Sequence, residues 1–340
     1  MSHITYLEAA VVGLVQGVTE LFPVSSLGHN VLIPALVGGS WASDLNVAKP
    51  ESPYLAFIVG LHVATALALL IYFWRDWVRI IGGFFTSLRL RPGFPWVRLD
   101  TRDQKLAWMI ILATIPVGIV GLLAEHAFRV IFGRPIVAGF FLIVNGAILY
   151  CGERFRTRRS VQADQAIAAE RDREQELVSA GAGPPGQPTA HPPSHQAVRQ
   201  EEMALAVRAD ERLAKVGYAQ ATIIGSAQIL ALLAGISRDG VTMVAGMTRG
   251  LSREDAARFA FLLATPVILA AGVLELPKLT GPLGNGIHGQ ILLGSVLSFI
   301  GAYVSVRFLM KYFQTRTLTP FAIYCFVVGL GSVIYLGLIK

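Results

Sequence analysis

Charge is scarce in this sequence. Only 15% of its 340 residues are Asp, Glu, Lys or Arg, while 54% are hydrophobic and the mean hydropathy is +0.56. Soluble domains carry about 25% charged residues, so the shortage excludes that class and points to a multispanning membrane protein. Cysteine is scarcer still. Cys151 and Cys325 both sit at or inside apolar stretches, which excludes a disulfide framework or a cysteine-built metal centre and leaves small buried residues as the expectation. The basic residues are not interleaved with aromatics on a soluble face. The net charge of +7 and pI near 9.6 therefore do not imply nucleic acid, and no such partner is expected. The opening residues MSHITYLEAA carry neither a basic segment nor a cleavage site, and they read as mature structure.

Long apolar runs are plentiful. A spanning helix needs about 20 mostly apolar residues, and six stretches approach that: roughly 54 to 74, 106 to 124, 134 to 151, 256 to 274, 290 to 309 and 319 to 338. The basic residues gather between them. Arg75, Arg79, Arg89, Arg91, Arg98, Arg102 and Lys105 fill one loop, and Arg154, Arg156, Arg158 and Arg159 open another. Residues 40 to 53 hold only Lys49, and the segment after 274 mainly Lys278. The positive-inside rule then puts 75 to 105, 153 to 216 and 307 to 316 in the cytoplasm and both termini outside.

Residues 160 to 216 differ in kind, with charged ends and a Pro- and Gly-rich middle, GAGPPGQPTAHPP. They read as a solvated cytoplasmic linker, partly disordered, with short helices beside the disordered centre. The chain accordingly divides into a first membrane repeat over 1–152, a linker over 153–216 and a second membrane repeat over 217–340.

The two halves echo each other. Set over AQILALLAGISRDGVT at 227 to 242, the segment VQGVTELFPVSSLGHN at 15 to 30 pairs Gln16 with Gln228, Ser25 with Ser237 and Gly28 with Gly240. Each copy is an apolar run broken at the same place, and three spans follow each. Three crossings per half turn the second copy upside down, as in the inverted repeats of transporters. From the capping box of Thr5 and Glu8, a helix to about Phe22 covers roughly 25 Å before Pro23 removes an amide donor. The fold class expected is thus an all-α polytopic membrane protein with an inverted repeat. Each half has one re-entrant broken helix pair plus three transmembrane helices, and the breaks meet near the midplane.

At each break the returning helix begins with serine, Ser25 and Ser26 in one copy and Ser237 in the other. Serine caps helix N-termini, and two such ends converging form an anion site. Arg238 adds a fork suited to phosphate oxygens. At mid-membrane it costs on the order of 3 kcal/mol, so it needs a partner, and Glu20 and Asp239 are the protein candidates. Glu20 lies one turn after Gln16, where the two can share a hard divalent cation. His29 lies three residues after Ser26, within reach of its hydroxyl proton or of a water. Individually each has a plainer reading as cap, interhelical hydrogen bond or ion pair. Jointly they suit hydrolysis of a phosphate ester or diphosphate, where positioning and electrostatics carry catalysis.

QGVTELFPVSSLGHN resembles the Glu/Gln-x-x-x-Glu and Pro-x-Ser-Ser-x-Gly-His region of bacterial undecaprenyl-diphosphate phosphatases, the bacitracin-resistance type. AGISRDGVT resembles their Pro-Gly-x-Ser-Arg-Ser-Gly-x-Thr motif, and FLLATPV at 261 and PFAIYCFVVG at 320 extend the likeness over both halves. The resemblance implies a plasma-membrane enzyme that removes the terminal phosphate of undecaprenyl diphosphate from the extracytoplasmic side. That reaction recycles the lipid carrier for the cell wall. A divalent cation is implied, magnesium foremost with calcium also admitted, and a homodimer is compatible with it. Carried over, Glu20 and Gln16 serve the metal, Ser26 is the nucleophile, His29 is a base or second nucleophile, and Arg238 clamps phosphate. Ser25, Ser237 and Thr242 line the diphosphate. A phosphoseryl route, a histidine route and direct attack by water all stay open.

Three residues depart from the pattern: Gln16 replaces a glutamate, Ala234 a proline and Asp239 a serine. Asp239 restores the carboxylate that Gln16 removes, an expectation that makes it a further metal ligand. The rival reading is a transporter or flippase for polyprenyl phosphate or another anionic lipid, which shares the architecture but needs no hydroxyl and imidazole beside the clamp. A type-2 phosphatidic acid phosphatase fits less well, because IFGRP at 131 lacks that family's lysine.

Overall fold

The Thr5 hydroxyl accepts the Glu8 amide at 3.2 Å and the Glu8 carboxylate takes the Thr5 amide at 2.7 Å. This reciprocal cap opens the first helix of a computed structural model that describes residues 4–46, 53–88, 99–132, 134–181, 206–280 and 286–338. Helix α1 (Tyr6–Leu21) ends at the expected break, and α2 (Ser26–Val37) and the short α3 (Gly39–Asp44) follow. Next come α4 (Pro53–Tyr72), α5 (Trp74–Ser87), α6 (Arg102–Phe132), α7 (Pro135–Arg154) and α8 (Arg158–Gly181). The second half begins with α9 (Tyr218–Ser226), which tightens into a 3₁₀ turn over Ala227–Leu232 before its own break. Then follow α10 (Arg238–Thr248), α11 (Arg253–Thr280), α12 (His288–Tyr312) and α13 (Thr319–Leu338). No strand occurs among the described residues.

Among the described residues, five helices are long and apolar enough to cross a membrane: Arg102–Leu123, Pro135–Arg154, Arg253–Leu274, His288–Tyr312 and Thr319–Leu338. The 20-residue α4 stands where the remaining span was expected. The chain is an all-α polytopic membrane protein. Both cysteines are free, but Cys151 is exposed rather than buried, because it faces outward from α7.

The packing interleaves the halves. Helix α1 lies along α12 and α9 along α6, so each leading helix rests on the middle span of the other half. Helix α4 packs on α11 and α7 on α13, joining like elements of the two halves. The α1–α12 seam is held close by small residues: a Cβ on Gly17 would stand 2.2 Å from the Ser298 carbonyl oxygen, and one on Gly13 2.4 Å from that of Gly294. Lipid supplies no hydrophobic drive between helices, so this close approach is what dispersion requires.

The two ends of the expected linker are fastened to the helices beside them. Asp210 accepts Arg79 Nη2 at 2.6 Å and Arg258 Nη2 at 2.9 Å, while Arg258 also pairs with Asp76. Arg212 grips Asp255 through Nε and Nη2, both at 2.8 Å. On the other side Arg253 bridges Glu153 and Asp164, and Arg171 pairs with Glu254. The charges that make these pairs are structural, because the ends of α5 and α11 present buried partners and α7 a partly buried one. The expected disordered centre, residues 182–205, lies outside the described residues. Helix α5 lies beside this layer with Trp74, Val78, Ile81 and Phe85 exposed along one stripe, an interfacial arrangement.

Two expectations can be measured by thermal unfolding in detergent. Gly17→Leu should cost about 1–3 kcal/mol or more, whereas Gly121→Leu, where a Cβ meets nothing within 4 Å, should cost little; equal melting points would contradict the close seam. Asp210→Ala should cost about 3–5 kcal/mol, because it leaves Asp76 as the one buried carboxylate between Arg79 and Arg258. Glu211→Ala, at an exposed pair with Arg102, should cost at most about 1 kcal/mol. Equal losses would mean that the linker end is not anchored.

Candidate active site

Each break is built by local backbone chemistry. Pro23 offers no amide, and Ser25 takes φ +69°, the one positive φ of a non-glycine among the described residues. That conformation costs of order 1–3 kcal/mol and persists only where surroundings enforce it. Here the Ser25 hydroxyl oxygen accepts the amides of Gly28 and of Gly235, each at 3.2 Å, so one cap joins both breaks. Gly235 has φ +110°, and a Cβ there would meet the Ala138 carbonyl oxygen at 2.4 Å, so only glycine fits. Ser237 caps α10 by accepting the Gly240 amide at 3.2 Å. Asn145 of α7 completes the junction. Its Oδ1 accepts the Ser237 amide and its Nδ2 donates to the Pro23 carbonyl, both at 3.0 Å.

Glu20 lies at the centre, 6% exposed. Its Oε1 accepts Arg238 Nη2 from the opposite half, and its Oε2 accepts the Ser26 hydroxyl and Gln16 Nε2, the latter at 2.8 Å. His62 Nε2 stands 3.7 Å from the same Oε2. Gln16 is itself fully engaged, since its Oε1 accepts Asn30 Nδ2 at 2.6 Å and its Nε2 lies 3.4 Å from His62 Nε2. Asp239 is 1% exposed and neither of its oxygens has a hydrogen-bond partner; Arg238 Nε is its nearest charge at 3.9 Å.

The structure thus gathers Gln16, Glu20, Ser26 and Arg238, with Asp239 beside the arginine. It separates His29 from Ser26. The His29 Nδ1 bonds the Ser25 carbonyl at 2.8 Å, its Nε2 bonds the Tyr324 hydroxyl at 2.8 Å, and the two rings stack at 5.7 Å. The imidazole reaches back one turn of α2, while Ser26 turns across the break toward a buried carboxylate that needs donors. Thr242 is also turned inward, its hydroxyl donating to the Arg238 carbonyl at 2.7 Å. Ser25 and Ser237 serve as caps first.

Sequence reasoning missed His62, Asn145, Asn30 and Tyr324. The first two carried a signal: a polar side chain inside the apolar runs 54 to 74 and 134 to 151 is costly enough to mark a function. Asn30 directly follows the motif and was passed over as its edge. Tyr324 carried none, because a tyrosine in an apolar helix is commonplace.

The donors permit a hard divalent cation in part. Glu20 and the unpartnered Asp239 offer carboxylate oxygens at the two breaks, yet no group of three or more His, Cys, Asp or Glu side chains that could hold a metal occurs among the described residues. Such a partial set suits magnesium, which takes one or two carboxylates and completes its shell with water and substrate phosphate. Chemically, the site pairs a hydroxyl whose proton already faces a carboxylate with a guanidinium that can neutralise a phosphoryl group.

Comparison with known proteins identifies the family. The family described as bacitracin resistance protein BacA matches residues 9–177 and 196–331. An undecaprenyl-diphosphatase of Mycolicibacterium paratuberculosis is 55% identical over 337 residues, covering 99% of each chain. One named undecaprenyl-diphosphatase 2, from Frankia alni, is 53% identical with 97% of each chain covered. Another of that name, from Burkholderia lata, is 41% identical over 93% of this chain and 91% of its own. With a match that runs through both breaks and nearly all the helices around them, this chain belongs to the bacitracin resistance protein BacA family.

Proposed function

We propose that the protein hydrolyses undecaprenyl diphosphate to undecaprenyl phosphate and orthophosphate, renewing the lipid carrier for cell-wall synthesis and lowering sensitivity to bacitracin. The observation that carries the reading is the convergence of Ser26, Glu20 and Arg238 on one buried point from both halves of the chain. A lipid transporter would need the arginine but not a hydroxyl poised against a carboxylate.

The geometry favours the phosphoseryl route. Ser26 attacks the terminal phosphorus as its proton passes to Glu20 Oε2, and the bond to the bridging oxygen breaks, so undecaprenyl phosphate leaves. Arg238 exchanges its hold on Glu20 for the phosphoryl oxygens, where charge accumulates. Water then attacks the phosphoserine, Glu20 returns the proton to Ser26, and orthophosphate departs. His29, with Nδ1 on the Ser25 carbonyl and Nε2 on the Tyr324 hydroxyl, orients the α2 end, and it serves the water once Nε2 exchanges Tyr324 for it. Glu20, Asp239 and the Gln16 amide oxygen are the ligands we assign to magnesium, which when bound would offset charge on the diphosphate.

The two halves form an inverted repeat in this reading, supported by the exchange of leading helices between them. The basic loops support a plasma-membrane protein with 75–105 and 153–216 inside. In this reading the ion pairs of Asp210, Arg79 and Arg258 lie on that side, which favours entry from the extracytoplasmic side.

Phosphate release from C55 diphosphate by purified protein checks the reaction. Glu20→Ala, Arg238→Ala and Ser26→Ala should each lose roughly 10²–10⁴-fold in kcat, and His29→Ala less than Ser26→Ala. If Ser26→Ala stays within tenfold of wild type, the serine route is wrong. A folded wild type that releases no phosphate would return the transporter reading. The cation is tested separately: EDTA should abolish release and magnesium restore it, and Asp239→Ser should raise the magnesium concentration needed, with Gln16→Glu/Asp239→Ser lowering it again. Unchanged magnesium dependence in Asp239→Ser would remove Asp239 from the ligand set.

A further inference from the structure

The Gln16 amide uses every group it has. The neighbouring Asn30 amide uses half: its Nδ2 donates to Gln16 Oε1 at 2.6 Å, while its Oδ1 is buried without a hydrogen-bond partner in a residue 2% exposed. Buried amide oxygens are nearly always bonded, and an exception calls for a reason. Primary amides are near-symmetric in shape, so a bonded pair of them has two arrangements related by turning both over.

In the arrangement seen, Gln16 points its N–H groups at Glu20 and His62. In the turned arrangement Gln16 Nε2 donates to Asn30 Oδ1, Asn30 Nδ2 moves to the place without a partner so that no second bond locks either setting, and Gln16 Oε1 comes to face Glu20 Oε2. Without a cation, two acceptors would confront each other there, and the arrangement seen wins. With a hard divalent cation between them, both oxygens become ligands and the preference reverses. His62 follows the same rule: its Nδ1 donates to the Ile58 carbonyl at 2.9 Å, so Nε2 of the neutral ring is an acceptor that faces the Gln16 N–H without the cation and the cation when it is bound.

We propose that Gln16 and Asn30 form a coupled amide switch in which cation binding turns both side chains, with Asn30 as the positioning residue that makes Gln16 a metal ligand. The inference rests on the cation reading above. It recasts glutamine at position 16: the amide oxygen is a conditional ligand, offered only when the cation is present and withdrawn in favour of a hydrogen bond to Glu20 when it is not.

Mn²⁺ binding to the full-length protein in detergent, without substrate, tests this by EPR titration. A carboxylate in Asn30→Asp can only accept, so it locks Gln16 in the turned arrangement; Mn²⁺ should bind about tenfold more tightly. The gain should vanish in Gln16→Ala/Asn30→Asp relative to Gln16→Ala. No gain, or the same gain without Gln16, means that charge alone acts and overturns the switch while leaving the cation reading intact. A wild type whose Mn²⁺ binding is no stronger than that of Glu20→Ala overturns both. Should Asn30→Asp not fold, ¹⁵N-asparagine NMR of the wild type decides. The Asn30 side-chain amide signals, identified by their loss in Asn30→Leu, should move on saturation with Mg²⁺ as Nδ2 leaves Gln16 Oε1. Signals that stay in place overturn the switch.

Discussion

The structure depends on one carboxylate in an apolar chain. Glu20 is buried where a bare negative charge is forbidding, and water cannot be its counterpart. Everything within reach supplies a donor: Gln16 from its own helix, Ser26 from across the break, Arg238 from the opposite half. The arginine has the converse difficulty, and the pairing answers both. Neither residue could be tolerated at that depth alone, so bringing the halves together and assembling the site are one event.

The junction around the pair is made of backbone as much as of side chains. The two breaks adjoin, and backbone amides from both are divided between the Ser25 hydroxyl and the Asn145 amide. Asn145 comes from a helix outside either break, so it sets the distance between them without belonging to the chemistry. Strain at Ser25 and the glycine at 235 are the cost of packing two turns this closely. A second set of buried ion pairs ties the flanks of the linker to helix ends, so the same rule of mutual compensation operates twice in one molecule.

Features governed by short-range chemistry could be read from the residues. The Thr5 cap, the break at Pro23, the serines at the returning helices and the spans all depend on neighbours within a turn or two. So did the pairing of Glu20 with Arg238, because an arginine and a glutamate in otherwise apolar runs have few places to go. What escaped was set by geometry between distant segments. The assignment of His29 to Ser26 followed from their spacing along a helix, yet the backbone at Ser25 turns the hydroxyl toward Glu20 and leaves the imidazole to a tyrosine 295 positions away. The linker looked solvated because its charges are abundant; only the fold shows that Asp210 and Arg212 have buried counterparts on α5 and α11.

The exchange of leading helices has a bearing on how the protein is made. Helix α1 emerges first, with Gln16 and Glu20 on it, but the seam it occupies is completed only by α12, at residues 288–312. For most of synthesis, then, the nascent chain holds a mainly apolar helix that carries Gln16 and Glu20, is too short to span and lacks its lasting neighbour. Insertion must shelter that segment at the bilayer surface or within the translocation machinery until the second half arrives, so the active site is among the last parts of the molecule to exist.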